Sequence, residues 1–246
     1  MTSVVKCIRL VAVVATLSPL AVLAGSFQVS PVRVHLTPFA PTAAITVRNE
    51  STTEDVVIQT RAADWRQENG EDVYNLSNDL IATPPIFTLK PGASQTVRVG
   101  LRKTVQTDVQ QTFRLYLTEV PPPPKPGFQG LQVALNIGIP IFIAPLKPES
   151  TLPNWRARIA EGGKLILTGS NPANTHFQIL EVSLFEGEPK ELISTLQTPK
   201  YILAGQSVSW EFSLSRAARS PLRMSAKTDA GNIEAAVEFD AISVKR

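Results

Sequence analysis

The sequence predicts an all-β protein built from two β-sandwiches, and three observations carry that prediction. Downstream of Ser26 the chain is a succession of short apolar and β-branched runs broken by Pro, Gly, Asn and Asp. No long stretch places apolar residues at helical spacing. A proline-marked break near Leu146 then divides the chain in two, and 246 residues are more than one ordinary domain of about 100 to 150 residues needs.

Composition bounds the function classes. With 43% hydrophobic and 18% charged residues, the chain can bury a core, which excludes a coiled coil or a wholly disordered protein. The 20 prolines and 13 glycines punctuate it with turns, while a single cysteine excludes an intrachain disulfide and a four-cysteine zinc site.

Residues 1–24 read as a secretory signal peptide. Lys6 and Arg9 supply the basic region, Leu10 to Val22 the apolar one, and Val22-Leu23-Ala24 a cleavage site before Gly25 or Ser26. An uncleaved anchor helix is the alternative, but the apolar run is shorter than the ~20 residues of a membrane span. Removal takes Cys7 with it and lowers Lys plus Arg from 24 to 22 against 21 acids, so the basic balance implies no nucleic-acid partner.

Seven strands are expected before the break: Phe27 to Leu36, Ala43 to Val47, Asp55 to Asp64, Ile86 to Leu89, Gln95 to Leu101, Thr112 to Val120 and Leu131 to Ile143. That number, with turns such as Lys90-Pro91-Gly92, suits an immunoglobulin-like sandwich without its cysteine pair. Two prolines in Ala144 to Ser150 remove amide donors and stiffen the link, so the expected domains are 25–145 and 146–246. Lys164 to Thr168, His176 to Leu184, Val208 to Leu214 and Glu234 to Val244 are the strands expected in the second, smaller sandwich, with turns at Asn171-Pro172 and Asp229 to Asn232.

One segment is unlike an ordinary strand. Leu131, Val133, Leu135, Ile137, Ile139, Ile141 and Ile143 are aliphatic at seven consecutive odd positions. As a strand they would share one face for roughly 40 Å, about twice the usual strand length. Pro140 within the run points to an edge, where a missing N–H is tolerated. Such an edge is normally blunted with charge, yet none occurs between Pro126 and Leu146. A strand that adds itself to another protein explains this, with main-chain bonds setting register and the odd side chains filling a partner's open core. A central strand of a larger sandwich is the competing assignment.

These residues also carry a resemblance. Ser30 to Val34, Ile81 to Ile86, Leu89 to Val99, Thr118 to Pro121 and Leu131 to Pro145, with Asn171-Pro172 and Thr228 to Gly231, are similar to the periplasmic chaperones of the chaperone–usher pathway. The resemblance implies an L-shaped pair of immunoglobulin-like domains in the periplasm. Its function would be to bind, fold and cap pilus subunits by strand donation and deliver them to an outer-membrane usher, without ATP or cofactor. The donor positions map onto Leu131, Val133, Leu135, Ile137 and Ile139.

The resemblance further implies two basic residues that anchor the subunit's terminal carboxylate between the domains. Arg33 matches the first, and a guanidinium suits a carboxylate, although a solvated surface arginine is the plain alternative. The second is a lysine late in the donor strand, where this chain has Pro140. If the strands before and after the proline loop form a hairpin, residues 113 to 115 face about 136 to 138, making Arg114 the replacement and Lys147 a further candidate. Ala144 stands where many relatives have an arginine, and together these departures suggest the archaic branch.

Rival functions find less support. His35 and His176 lie in different expected domains, and no Gly-x-Ser-x-Gly, His-Glu-x-x-His or metal-ligand cluster is present, so no catalytic or metal site is expected. Pro121 to Pro124 reads as a stiff loop or a polyproline ligand. Trp65, Trp155 and Trp210 could stack on sugars in an adhesin or another secreted binding module; core packing is the plainer role. Self-association through the exposed edge is left open for the free molecule.

Overall fold

The computed structural model describes residues 27–239 except 104–105, 125, 128–130, 150, 161–162 and 215–220. The expected signal peptide and Cys7 lie outside the described residues, as does the end of the last expected strand. Two sets of strands form, and among the described residues no strand of one set pairs with a strand of the other.

The first set contains β1 (Phe27–Ser30), β2 (Val34–Leu36), β3 (Thr42–Asn49), β4 (Val56–Glu68), β5 (Glu71–Leu76), β6 (Leu80–Thr83), β7 (Ile86–Leu89), β8 (Ser94–Leu101), β9 (Gln111–Glu119) and β10 (Asn136–Ile143). One sheet runs β1-β3-β8-β6; the other runs β2-β10-β9-β4-β5, with β7 also on β4. Alternation explains the core between them: Ile45 and Val47, Val97 and Val99, Leu115 and Leu117, and Ile139, Ile141 and Ile143 bury one side of each strand.

The expected strand Phe27 to Leu36 is two strands. Pro31, which has no amide donor, ends the first, and the chain crosses to the other sheet, so β1 pairs with β3 while β2 pairs in parallel with β10. The unforeseen β5 closes a hairpin at Asn69-Gly70, both with positive φ, as a two-residue turn of type I′ requires. An Asn-Gly pair is a strong hairpin signal, but the polar composition of Glu71–Leu76 conceals the strand.

The second set contains β11 (Asn154–Ile159), β12 (Leu165–Ser170), β13 (Phe177–Glu186), β14 (Glu191–Leu196), β15 (Lys200–Ile202), β16 (Ser207–Phe212), β17 (Leu222–Thr228), β18 (Gly231–Ala236) and β19 (Glu238–Phe239). Its sheets run β16-β12-β11-β19 and β14-β13-β17-β18, with β15 on β13, around Leu165, Leu167, Val182, Trp210, Phe212 and Met224. The all-β class with two sandwiches is therefore observed.

A third, small core joins the sandwiches. Trp65 of β4 and Phe142 of β10 are buried against Leu203 and Tyr201 of the second sandwich. Gln67 ties the same place together: its Nε2 donates to the Tyr201 carbonyl at 2.8 Å, and its Oε1 accepts from the Leu203 N–H at 2.9 Å. A second tie comes from Asn174, whose Nδ2 donates to the carbonyls of Asp108 (2.8 Å) and Lys147 (2.9 Å).

Candidate functional site

The apolar row of the expected donor segment divides into an exposed part and a core part. Regular pairing starts only at Asn136, so the expected strand from Leu131 is shorter than the alternation suggests. Leu131 is 87% exposed and Val133 55%, Leu135 and Ile137 are half-buried against the first core, and Ile139 is 1% exposed within it. Ile139 is thus committed to the protein's own sandwich, a correction to its place in the donor set.

The segment before Asn136 is nevertheless held along β9. The Glu119 N–H donates to the Leu135 carbonyl at 2.8 Å, and the Leu135 N–H donates to the Glu119 carboxylate at 3.1 Å. Gln132 Nε2 donates to the Pro122 carbonyl at 2.9 Å, bracing the row against the proline loop. The expected edge holds for only part of β10: β9 pairs along its whole length, while β2 covers Ile141–Ile143 on the other side. Residues 136–140 have no second strand neighbour among the described residues, and Pro140 lies where that open edge ends.

Beyond Pro140 the two faces of β10 enter different cores. Ile141 and Ile143 point into the first sandwich, and Phe142 points into the third core. His176 stacks on Phe142 at a centroid separation of 3.6 Å, and His35 stacks beside it at 5.5 Å from Phe142 and 6.1 Å from His176. The two histidines, expected in separate domains, therefore meet at the junction. Burial holds His176 down at about pH 4, and burial followed by the neighbouring Arg33 charge lowers His35 as well. Gln110 Oε1 accepts from the His176 N–H at 3.0 Å and lies 2.7 Å from its Nδ1, placing the ring proton of the neutral form there.

Arg33 reaches across the junction. Its guanidinium donates to the Asp229 carboxylate and to Gln178 Oε1, and it lies 5.8 Å from the Tyr201 ring centre. Asp229 occupies the turn between β17 and β18, so this ion pair joins the two sandwiches. It supplies an interdomain charge contact in a chain with alanine at 144.

Arg114 comes to the same aromatic cluster from the other side. Its guanidinium carbon sits 4.5 Å over Trp65 and 5.3 Å over Tyr74, and its terminal nitrogens donate to the Gly138 carbonyl (3.4 Å) and the Tyr74 hydroxyl (3.0 Å). The register differs from expectation by three residues, because Arg114 faces Pro140 and Tyr116 faces Gly138. Among the described residues no carboxylate pairs with Arg114, and both its Nε and the buried Trp65 Nε1 have no hydrogen-bond partner. Burial raises the Tyr74 phenol to about 12, so it stays a neutral hydroxyl that donates onward to Asp72 at 3.0 Å.

Lys147 makes no hydrogen bond with Arg33 or Arg114 among the described residues. It is exposed, and its carbonyl rather than its ammonium makes the described contact, with Asn174. Trp65, Trp155 and Trp210 are all buried, so core packing is their role.

Comparison with known proteins gives the chain a family. Residues 26–149 match the family described as "Pili and flagellar-assembly chaperone, PapD N-terminal domain". The chain belongs to that family.

The chaperone protein FanE of Escherichia coli is 28% identical over 123 residues, which cover 48% of this chain and 50% of FanE. The matched region thus spans about half the length of that relative. Among solved structures, the fold is similar to one titled as the CsuC-CsuE chaperone-tip adhesion subunit pre-assembly complex from archaic chaperone-usher Csu pili of Acinetobacter baumannii. The TM-score is 0.64 at 17% identity, covering 88% of this chain and 100% of that chain. A Salmonella enterica SafA pilin complex with the SafB chaperone gives 0.60 at 16% identity, covering 87% and 97%. The Pseudomonas aeruginosa CupB2 chaperone gives 0.56 at 19%, covering 87% and 100%.

Within this chaperone fold, several residues of the junction gave no sequence signal of their own. Gln67, Phe142, His176 and Tyr201 sit on four different strands or their flanks, and only the docking of the two sandwiches brings them together. Phe142 alone could have been noticed, as a large aromatic on the otherwise polar or small even-numbered face of its segment.

Proposed function

We propose that the protein is a periplasmic chaperone that captures pilus subunits by giving them the segment around Leu131 to Ile137 as a β-strand, and delivers them to an outer-membrane usher. The observation that carries this reading is the graded apolar row: Leu131 and Val133 stand exposed at the open end of β10, while the far end of the same row is locked in the chaperone's core. A strand rooted at one end and bare at the other can enter a partner sandwich without unfolding its owner. Burying Leu131, Val133, Leu135 and Ile137 at roughly 1.5 to 3 kcal/mol for each full side chain would contribute on the order of 5 kcal/mol, less the cost of association.

Arg33 and Arg114 serve in this reading as the basic anchor for the subunit's terminal carboxylate, and Lys147 is left out. The solved chaperone complexes with a tip adhesin subunit and with a pilin support subunits as the partner class. The test is co-purification of the tagged chaperone with the small secreted subunits encoded beside it, comparing wild type with Val133→Asp. Capture by wild type and its loss in the variant is the expected result. Equal capture by both, or none by either with the subunits expressed, would sink strand donation.

A further inference from the structure

The cleft between Arg33 and Arg114 contains a third polar group, and it comes from the second sandwich. Tyr201 of β15 is wedged by rings, with centroid separations of 5.1 Å to Trp65, 5.6 Å to Phe142 and 5.6 Å to His176. Its carbonyl is fixed by Gln67 at 2.8 Å, so both the backbone and the ring of this residue are immobilised. Two arginines stand near it: Arg33 lies 5.8 Å from its ring, and Arg114 rests on Trp65, which meets Tyr201 edge-on.

The chemistry of the phenol follows from those neighbours. The Arg33 guanidinium lies near its ring, and among the described residues no acceptor receives its O–H, which is left to be given to a ligand. Burial raises its pKa, so the proton is retained at neutral pH. Arg33 already shares its charge with Asp229 and Gln178, so a carboxylate entering the cleft meets a partly occupied guanidinium there and an Arg114 without a carboxylate partner. A neutral donor between the two supplies a further hydrogen bond without adding a third positive charge.

We propose that the Tyr201 hydroxyl is a binding residue for the subunit's terminal carboxylate, completing with Arg33 and Arg114 a three-donor subsite that exists only when the two sandwiches are docked. This rests on the subunit-capture reading above and adds a contribution from the second domain. Because a hydrogen bond to a charged group is typically worth 1.5 to 3 kcal/mol, its loss should weaken capture by about tenfold or more.

The experiment uses the full-length chaperone and the co-expressed subunit in two forms, native and lengthened by three residues at its C terminus so that the carboxylate is displaced. Tyr201→Phe keeps the wedged ring and removes only the hydroxyl; its thermal midpoint should match wild type. Capture of the native subunit should fall about tenfold in Tyr201→Phe, with no further loss on the lengthened one. Undiminished capture of the native subunit, or an equal loss on both forms, overturns the role of Tyr201. Arg33→Ala separates the two readings: if it distinguishes native from lengthened subunit while Tyr201→Phe does not, the anchor stands without Tyr201. If neither does, the anchor falls and this inference with it.

Discussion

The imidazole of His176 lies flat on the ring of Phe142, 3.6 Å between centroids and 10° from parallel, so a side chain of the second sandwich packs on the strand that ends the first. Burial at this contact favours the neutral imidazole. Burial brings the His176 pKa down to about 4 from an ordinary 6.5, with Arg33 and His35 adding repulsion and Asp229 partly opposing it. Between those values the unfolded chain binds the proton more readily than the folded one, so stability rises with pH in that window. It is fully present above 6.5 and is lost as the pH falls toward 4, amounting to roughly 3 kcal/mol. Calorimetric unfolding at pH 7 and pH 4.5 should show the loss in wild type and a smaller one in His176→Phe, which keeps the stack without the titration. Equal acid sensitivity in both would show that His35 or the carboxylates control it.

Val133 and Ile139 belong to one alternating row but should answer substitution differently. Val133→Asp places a charge at an exposed position and should leave the unfolding free energy within about 1 kcal/mol of wild type. Ile139→Ala should cost about 2 to 5 kcal/mol, because the side chain is fully buried in the first core. Denaturant unfolding of the two variants reads this contrast directly. A large loss in Val133→Asp would show that the exposed part of the row is core after all.

Asn171 is buried and acts as a peg for the second sandwich. Its Nδ2 reaches the carbonyls of Thr175 (2.7 Å), Ile202 (3.1 Å) and Leu203 (3.1 Å), and its Oδ1 accepts from the Ala173 N–H at 2.9 Å. Asn171→Ala strands those groups and should destabilise by about 2 to 4 kcal/mol. Since Ile202 and Leu203 flank the junction, hydrogen exchange should quicken at Gln67 as well as at Ala173. Unchanged exchange at Gln67 would confine the effect to the turn.

Gly169 is required by a neighbour rather than by a turn. A Cβ there would sit 2.8 Å from Trp155 Cζ3 and 3.1 Å from Ile202 Cδ1. Gly169→Val should therefore overpack the second core and lower stability by about 1 to 3 kcal/mol, measured by chemical denaturation. A neutral outcome would mean that the Trp155 ring can move aside.

Much of the fold was legible because alternation is a local property. Strands such as Ile86–Leu89, found at its expected limits, and β8 and β9, found within a residue or so, carry their hydrophobic period in their own residues. Strands with little apolar content, such as Glu71–Leu76, escaped because their stability comes from pairing with β4 and not from a buried face of their own. The row from Leu131 to Ile143 shows the limit of the same signal: its period is unbroken, but only the neighbours decide where exposure gives way to core. Position 139 meets the facing sheet of the first sandwich, whereas position 131 meets none.

By itself the sequence determined the all-β class, and it raised the expectations of a division near Leu146, of an apolar row suited to donation and of Arg33 and Arg114 as candidates, since each is written in residue type and spacing. Tertiary structure decided that Ile139 is core, that Arg33 is shared with Asp229, and that Trp65, Phe142, His176 and Tyr201 form one junction. Those relations join residues as far apart as 33 and 229, and no local pattern encodes them. They arise when two separately patterned sandwiches bury the apolar and aromatic surfaces that neither can cover alone.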